Sequence, residues 1–207
     1  MNNNGVTKVE IVETPDRIGG AGTAMTFIFT MLTMCFWGIY AGIFSGPTAL
    51  AVGLVQIACY MPYMIGAVVF YMKGNALFAN TFLIFATLFG GIGGLSNIFL
   101  GFAEIYGWNI SDQMTCIPFI WGGVCLFPVT YVLRKAISKM TFICYLSAAF
   151  FLSLIGFVGL GVLPPATNTL ITILALIVAL TGYYECLNGL LMDGGHKPMP
   201  NGKPFFK

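Results

Sequence analysis

The sequence predicts an all-α integral membrane protein, a bundle of six transmembrane helices, and its composition and hydropathy pattern carry that prediction. Hydrophobic residues make up 58% of the 207 residues and charged residues only 8%, whereas about a quarter of the residues of soluble domains are charged. The apolar residues form six runs, each long enough to cross about 30 Å of hydrocarbon. Strands of a membrane barrel would alternate apolar and polar residues over about ten positions, and these runs do not.

The six predicted spans are residues 22–43, 49–72, 76–102, 116–133, 140–163 and 169–192. Little length remains for a soluble domain, so we expect one transmembrane domain over 21–192, an N-terminal tail at 1–20 and a C-terminal tail at 193–207. The first twenty residues mix acids, bases and glycine. They therefore lack the basic start and apolar run of a signal peptide.

The connections between the spans agree with these boundaries. The first and last are the Gly/Pro clusters "FSGPTA" and "LPPATN", which favour turns. The second and fourth are the charged seams "KGN" and "RKAISK", and the third, "EIYGWNISDQMT", is longer. Short connections predict that consecutive helices run in opposite directions.

The basic residues predict the orientation of the bundle. If both termini lie on one side, that side receives all nine bases: Lys8, Arg17, Lys73, Arg134, Lys135, Lys139, Lys197, Lys203 and Lys207. The only charged residues in the loops on the opposite side are Glu104 and Asp112. Because short loops rich in Lys and Arg stay cytoplasmic, we expect both termini in the cytoplasm. A multi-pass protein of the plasma membrane, or of a prokaryotic inner membrane, is the predicted location.

The third span is rich in glycine, with the stretch "FGGIGGLSNIFLG" at its centre. One interpretation is close helix packing, since small residues let two backbones approach in a membrane. The other is a broken or flexible helix lining a pore, because irregular backbone is tolerated only against a cavity or buried protein.

Uncharged polar side chains inside the spans are candidates for the lining of a path. In span one, Thr23, Thr26, Thr30 and Thr33 recur at steps of three and four and share one helix face. They either bond back to their own helix and pack, or line a polar path. The predicted polar lining is Thr26, Thr33, Asn80, Thr81 and Asn188. A buried amide such as that of Asn80 can also bond to a neighbouring helix.

Glu185 is the only carboxylate well inside a predicted span. An ionised acid at a helix centre costs about 2.5 to 3.5 kcal/mol on insertion scales. Glu185 is therefore either a proton-sensitive group on a transport path or a hydrogen-bonded structural acid near the interface.

Several classes of function are excluded by the residues present. Six cysteines stand singly in apolar runs, the one histidine (His196) lies in the tail, and no metal-ligand, GxSxG or Walker pattern occurs. We therefore predict no enzyme activity and no cofactor. The bases follow topology and form no patch for nucleic acid. The remaining functions are to move a solute across the bilayer or to hold a molecule within it. If the protein is a transporter, its cation-free interior favours small neutral or proton-neutralised solutes.

Four stretches resemble a known family. They are "YMKGNALFANTFLIF", "IWGGVCLFPVTYVLRKAISKMTFICYLSAAFFLSLIG", "YYECLNGLL" and "GGHKPMPNG", and their order and spacing are similar to those of the acetate uptake transporters, carriers of acetate and succinate. The family's NPAPLGL signature aligns with "AGTAMTF" at residues 21–27, without its asparagine and prolines. The family's acid near the end of span six aligns with Asn188, one turn after Glu185.

The resemblance implies a homo-oligomer, a hexamer, in which each protomer moves a monocarboxylate with a proton through a narrow apolar constriction. The family's constriction aligns with Phe85, Leu146 and Thr30, with Phe29 adjacent. Plain core packing is the alternative for Phe85 and Leu146. The rival functions are a facilitator for small neutral solutes such as urea or amides, and a sensor or assembly protein that transports nothing.

Overall fold

The computed structural model describes residues 21–44 and 48–206. Within these ranges it contains six helices that are long and apolar enough to cross a membrane, which confirms the predicted six-helix bundle. The helical segments are α1 (Gly22–Tyr40), α2 (Thr48–Met72), α3 (Ala76–Phe85), a π-helix (Ala86–Gly93), α4 (Gly94–Tyr106), α5 (Gln113–Leu133), α6 (Lys139–Gly159), a 3₁₀ turn (Pro165–Thr167) and α7 (Asn168–Asp193). The predicted tail at 1–20 lies outside the described residues.

Two helices end earlier than the sequence predicted. Spans one and five were expected to reach residues 43 and 163, but α1 ends at Tyr40 and α6 at Gly159. Gly42 and Gly161 have φ of 68° and 74°, a left-handed conformation that terminates a helix at little cost for glycine. In both turns the residue after the glycine donates its amide to the fifth residue before it, at 2.9 Å.

The third span is continuous but irregular. It runs through α3, the π-helix and α4 as one membrane-length segment, Ala76–Tyr106, and ends four residues beyond the predicted residue 102. The predicted glycine packing is present: a Cβ on Gly90 would lie 2.8 Å from the Tyr60 Cα. The predicted irregular backbone is present as well, because the π-helix occupies the glycine-rich stretch.

The packing order of the helices sets the position of the interior. α5 packs extensively on α6, α1 and α6 both pack on α7, and α2 packs along the whole of the third span. Glycines permit the closest approaches, since a Cβ on Gly53 would lie 2.6 Å from the Ile98 nitrogen and one on Gly123 2.5 Å from the Ser153 nitrogen. α7 packs on α1 and α6 and adds Ile171, Ala175 and Val178 to the buried core.

The two ends of the bundle carry opposite charges. The connections α2–α3 and α5–α6 and the C-terminal tail bring the described bases to one end, here named the basic end. The other end, named the acidic end, carries Glu104 and Asp112.

Candidate functional site

Three cavities lie in a line through the interior. A vestibule of about 280 Å³ opens at the acidic end, where Tyr40, Asp112 and Thr115 line it. A central cavity of about 10 Å³ follows and shares Phe36 with the vestibule. A basic-side cavity of about 30 Å³ shares Phe29 and Tyr63 with the central one. Because a single water needs about 10 to 15 Å³, the line is closed to an acetate-sized solute at its centre.

The closure consists of six phenylalanine rings, named the aromatic layer. They come from five segments of the bundle: Phe29 and Phe36 of α1, Phe85 of α3, Phe89 of the π-helix, Phe119 of α5 and Phe151 of α6. Successive ring centroids lie 5.2 to 6.3 Å apart, within the range of favourable aromatic pairs. The rings thus form one connected plug between the vestibule and the basic-side cavity.

Threonine hydroxyls supply acceptors along this line. Thr26 and Thr81 line the basic-side cavity and Thr33 the central one. Each hydroxyl donates to the backbone carbonyl four residues earlier, at 2.8 to 2.9 Å. Since a hydroxyl has one hydrogen and two lone pairs, these groups keep only acceptor capacity for a solute.

Tyrosine hydroxyls supply donors in the basic-side cavity. Tyr63 and Tyr145 both line it. Among the described tyrosines, Tyr71 and Tyr184 donate hydrogen bonds to protein atoms, whereas the hydroxyls of Tyr63 and Tyr145 have no partner in the described part of the chain. Tyr63 and Tyr145 thus bring to this cavity two O–H donors that no described residue uses, beside two threonine acceptors.

Five of the sequence-predicted residues lie along the line of cavities. They are Phe29 and Phe85 of the predicted constriction and Thr26, Thr33 and Thr81 of the predicted polar lining. Phe29 and Phe85 are in contact, with ring centroids 5.6 Å apart. The structure thus brings these residues together in one place.

Thr30 and Leu146 lie elsewhere. Thr30 is buried against α7, where a Cβ on Gly182 would lie 2.5 Å from its Oγ1, and it lines a groove on the outside of α1 and α7. Leu146 is half-buried on α6 and lines none of the three cavities. The predicted threonine face divides into two pairs, and the members of each pair are seven residues apart. Thr26 and Thr33 point inward, whereas Thr23 and Thr30 lie toward α7.

The predicted polar residues of α7 hold other parts of the chain. The side chain of Asn188 accepts the Met199 amide at 2.7 Å, and Glu185 accepts a hydrogen bond of 2.7 Å from Ser138, the N-cap of α6. The third predicted amide, Asn80, is exposed and accepts from the Tyr71 hydroxyl.

The C-terminal tail forms a clasp across the basic ends of α6 and α7. Besides the Asn188 bond, the Tyr184 hydroxyl donates to the Pro200 carbonyl at 2.7 Å, and the Met140 amide to the Asn201 carbonyl at 3.3 Å. The rings of Phe205 and Phe206 pack on that of Phe142. We name these contacts of residues 199–206 the tail clasp.

Sequence reasoning missed most of the aromatic layer and both donor tyrosines. With 19 Phe and nine Tyr in the chain, residue type alone does not rank them. Helical spacing was the usable signal: Phe36 lies seven residues after Phe29, and Phe89 four after Phe85, so each pair shares a helix face.

Comparison with the known protein families finds no match, and none is found among curated proteins. The fold, however, is similar to that of a solved structure, the bacterial acetate channel SatP. The TM-score is 0.73 at 15% sequence identity, and the alignment covers 90% of this chain and 100% of the other. The fold implied by the resemblance to acetate uptake transporters is therefore confirmed, and the chain is a multi-pass membrane protein.

Proposed function

We propose that this protein conducts acetate-like small monocarboxylates, together with a proton, through the three cavities of each protomer. The observation that carries the proposal is the basic-side cavity, with two available tyrosine donors and two threonine acceptors behind a plug of six phenylalanine rings. The structural similarity to an acetate channel supports the same substrate class.

The hydrogen-bonding groups of this cavity match an uncharged carboxylic acid. Such an acid has a carbonyl oxygen that accepts and a hydroxyl that donates. Tyr63 and Tyr145 would donate to the carbonyl, and Thr26 or Thr81 would accept from the hydroxyl. The anion has no hydrogen to give, so the threonine lone pairs would face a negative charge.

The cost of burying charge explains the proton. Among the described residues that line the three cavities there is no Lys or Arg to pair with an anion. An unpaired carboxylate in a dry apolar site costs tens of kcal/mol in the Born limit, and such groups neutralise instead. Crossing the aromatic layer as the neutral acid moves one proton with each carboxylate.

The proposed constriction is the aromatic layer, centred on Phe29 and Phe85, and its rings must turn aside for each solute. The predicted contribution of Thr30 and Leu146 stays a proposal, which alanine variants would test in the same flux assay. Their positions off the line of cavities lead us to expect smaller effects than from Phe85→Ala.

The orientation and assembly are part of the proposal. We place the basic end in the cytoplasm, following the distribution of Lys and Arg, in the plasma membrane or a prokaryotic inner membrane. We propose a homohexamer on the resemblance. Two apolar grooves of about 360 and 390 Å³ along α1 and α7, which share Phe27, offer a surface for a neighbouring protomer. Native mass spectrometry of the purified protein tests the number of copies.

Uptake of labelled acetate into proteoliposomes tests the function. We expect uptake that rises with an inward proton gradient, and a decrease of about fivefold in Tyr63→Phe or Tyr145→Phe, since one hydrogen bond is worth about 1 kcal/mol. Tyr60→Phe is the matched control, because the Tyr60 ring packs on Gly90 of the π-helix. Acetate uptake that ignores the gradient would contradict proton coupling.

A facilitator for neutral solutes such as urea is the competing function. The lack of bases among the described lining residues favours it equally, because neutral amides also need donors and acceptors without fixed charge. Urea flux without acetate flux in the same vesicles would establish the facilitator and exclude the carboxylate proposal.

A further inference from the structure

One carboxylate in the vestibule wall is not used to hold the fold. Asp112 occupies the N-cap position of α5, yet its side chain makes no cap hydrogen bond. Its backbone carbonyl serves instead, accepting the Thr115 hydroxyl at 2.6 Å and the Thr115 amide at 2.9 Å. Asp112 is exposed and is one of the residues that line the vestibule.

Among the described residues that line the vestibule, the others are uncharged. Its polar members include Tyr40, Thr48 and Asn97, and its floor is formed by Phe36 and Phe119 of the aromatic layer. The described bases lie at the basic end, across the membrane thickness of about 30 Å. At that distance, several Debye lengths at physiological salt, they do not compensate the charge of Asp112.

We infer that Asp112 is a specificity-determining residue, which makes the vestibule an electrostatic filter that favours cations and the uncharged acid and repels carboxylate anions. Low-dielectric walls around a wet cleft focus the field of such a charge. The inference rests on the proposed function for its substrate, but the sign of the vestibule potential does not depend on what the protein transports.

The expected size follows from Coulomb's law. For a unit charge about 7 Å from the carboxylate, with an effective dielectric constant between about 40 and 80, the local concentration of an anion falls about three- to eightfold. A cation is enriched by the same factor. The ratio of cation to anion therefore changes about tenfold or more, and added salt reduces the effect.

Cys116 lines the same vestibule and is 6% exposed, so it is the inner of two probe positions for this potential. The other five cysteines, Cys35, Cys59, Cys125, Cys144 and Cys186, would be replaced by alanine. The rates of modification of the detergent-solubilised protein by a cationic and an anionic methanethiosulfonate would then be compared, one carrying trimethylammonium and the other sulfonate. Thr115→Cys with Cys116→Ala gives a second, more exposed probe position.

Three variants separate the charge of Asp112 from its neighbourhood. Asp112→Asn should lower the cation-to-anion rate ratio about tenfold, and Asp112→Glu should retain it. Glu104→Gln is the matched control, since Glu104 lies at the same end on α4 and does not line the vestibule. An unchanged ratio in Asp112→Asn, or an equal loss in Glu104→Gln, would overturn the inference. Failure of both thiols to react would do so too, because a vestibule closed to ions cannot filter them.

Flux measurements then connect the filter to transport. At a pH well above the range near 4 where carboxylic acids titrate, nearly all external acetate is the anion. The local concentration of the uncharged acid does not depend on the vestibule potential, so we expect Asp112→Asn to leave proton-coupled acetate uptake unchanged there, whereas a rise of about threefold at low salt and less at high salt would show that the anion itself crosses. If the thiol ratio behaves as expected but the unmodified protein moves no acetate, the proposed function fails and the filter stands.

Discussion

The acidic and basic ends of this bundle use polar side chains in opposite ways. At the acidic end, Asp112 precedes α5 and entered the sequence analysis only as a loop charge, yet it lines an open vestibule. At the basic end, Asn188 and Glu185 lie near the C-terminal end of α7 and were candidates for a transport path, yet they bond to the tail and to the N-cap of α6.

The difference shows that the role of a polar residue can be assigned only when its hydrogen-bond partner is known. A polar group within an apolar span needs a hydrogen bond, and a nearby chain segment satisfies that need as well as a solute does. In α7 the nearby segment is the tail clasp. At the vestibule, Thr115 bonds to the backbone of Asp112 and leaves the carboxylate to the cavity.

The largest effect should come from opening the aromatic layer that separates the two ends. Phe151→Ala removes a ring that is 1% exposed, which should cost about 3 to 5 kcal/mol of unfolding free energy and join the vestibule to the basic-side cavity. We expect solute flux to rise about tenfold for each 1.4 kcal/mol of barrier removed.

Phe150→Ala is the control for this prediction. Phe150 is the preceding residue of α6 and is 47% exposed, so its loss should change neither flux nor selectivity. Equal effects of the two variants, in vesicle flux and in thermal melts, would show that the layer is ordinary core packing.

A smaller effect is expected from the tail clasp. Asn188→Ala removes the acceptor of the Met199 amide, which should cost about 1 to 2 kcal/mol and lower the melting temperature by about 2 to 8 °C in a protein of this size. Flux and the vestibule potential should stay unchanged. Altered solute selectivity at normal stability would show that Asn188 lines the transport path. Asn80→Ala, which removes an exposed amide, is the matched control.

The N-cap of α6 should contribute less. Ser138 accepts the Thr141 amide at 3.0 Å and donates to Glu185 at 2.7 Å. Ser138→Ala should therefore cost about 1 kcal/mol, measured by thermal melting. Ser138→Asp keeps a capping oxygen but sets a second carboxylate beside Glu185, so only a variant such as Ser138→Thr should restore full stability.

The smallest effect is predicted for Glu185→Gln. A glutamine oxygen can still accept the Ser138 hydroxyl, so we expect stability within about 0.5 kcal/mol of the parent. Proton-driven uptake should keep its pH profile. A shifted profile would show that Glu185 titrates during transport and that the basic end does more than hold the tail.

The sequence was sufficient for the six helices because apolar runs of membrane length depend only on local composition. Phe29, Phe85 and Thr26 were predicted near the path, by helical spacing and by the resemblance. Tyr63, Phe119 and the use of Asn188 were beyond prediction, because each depends on which helix lies next to which. Residues of α7 line none of the three cavities, and this decides the case of Asn188.

The π-helix sets the direction in which the side chains of α4 point around the axis of the third span. It lets α3 and the π-helix aim Phe85 and Phe89 at the interior while α4 turns Gly94 and Gly101 toward α2. Each residue of a helix advances the direction of its side chains by about 100°. A one-residue deletion within Ala86–Gly93 would therefore swing the glycine seam of α4 away from α2, so this segment tolerates substitution of side chains far better than a change of length.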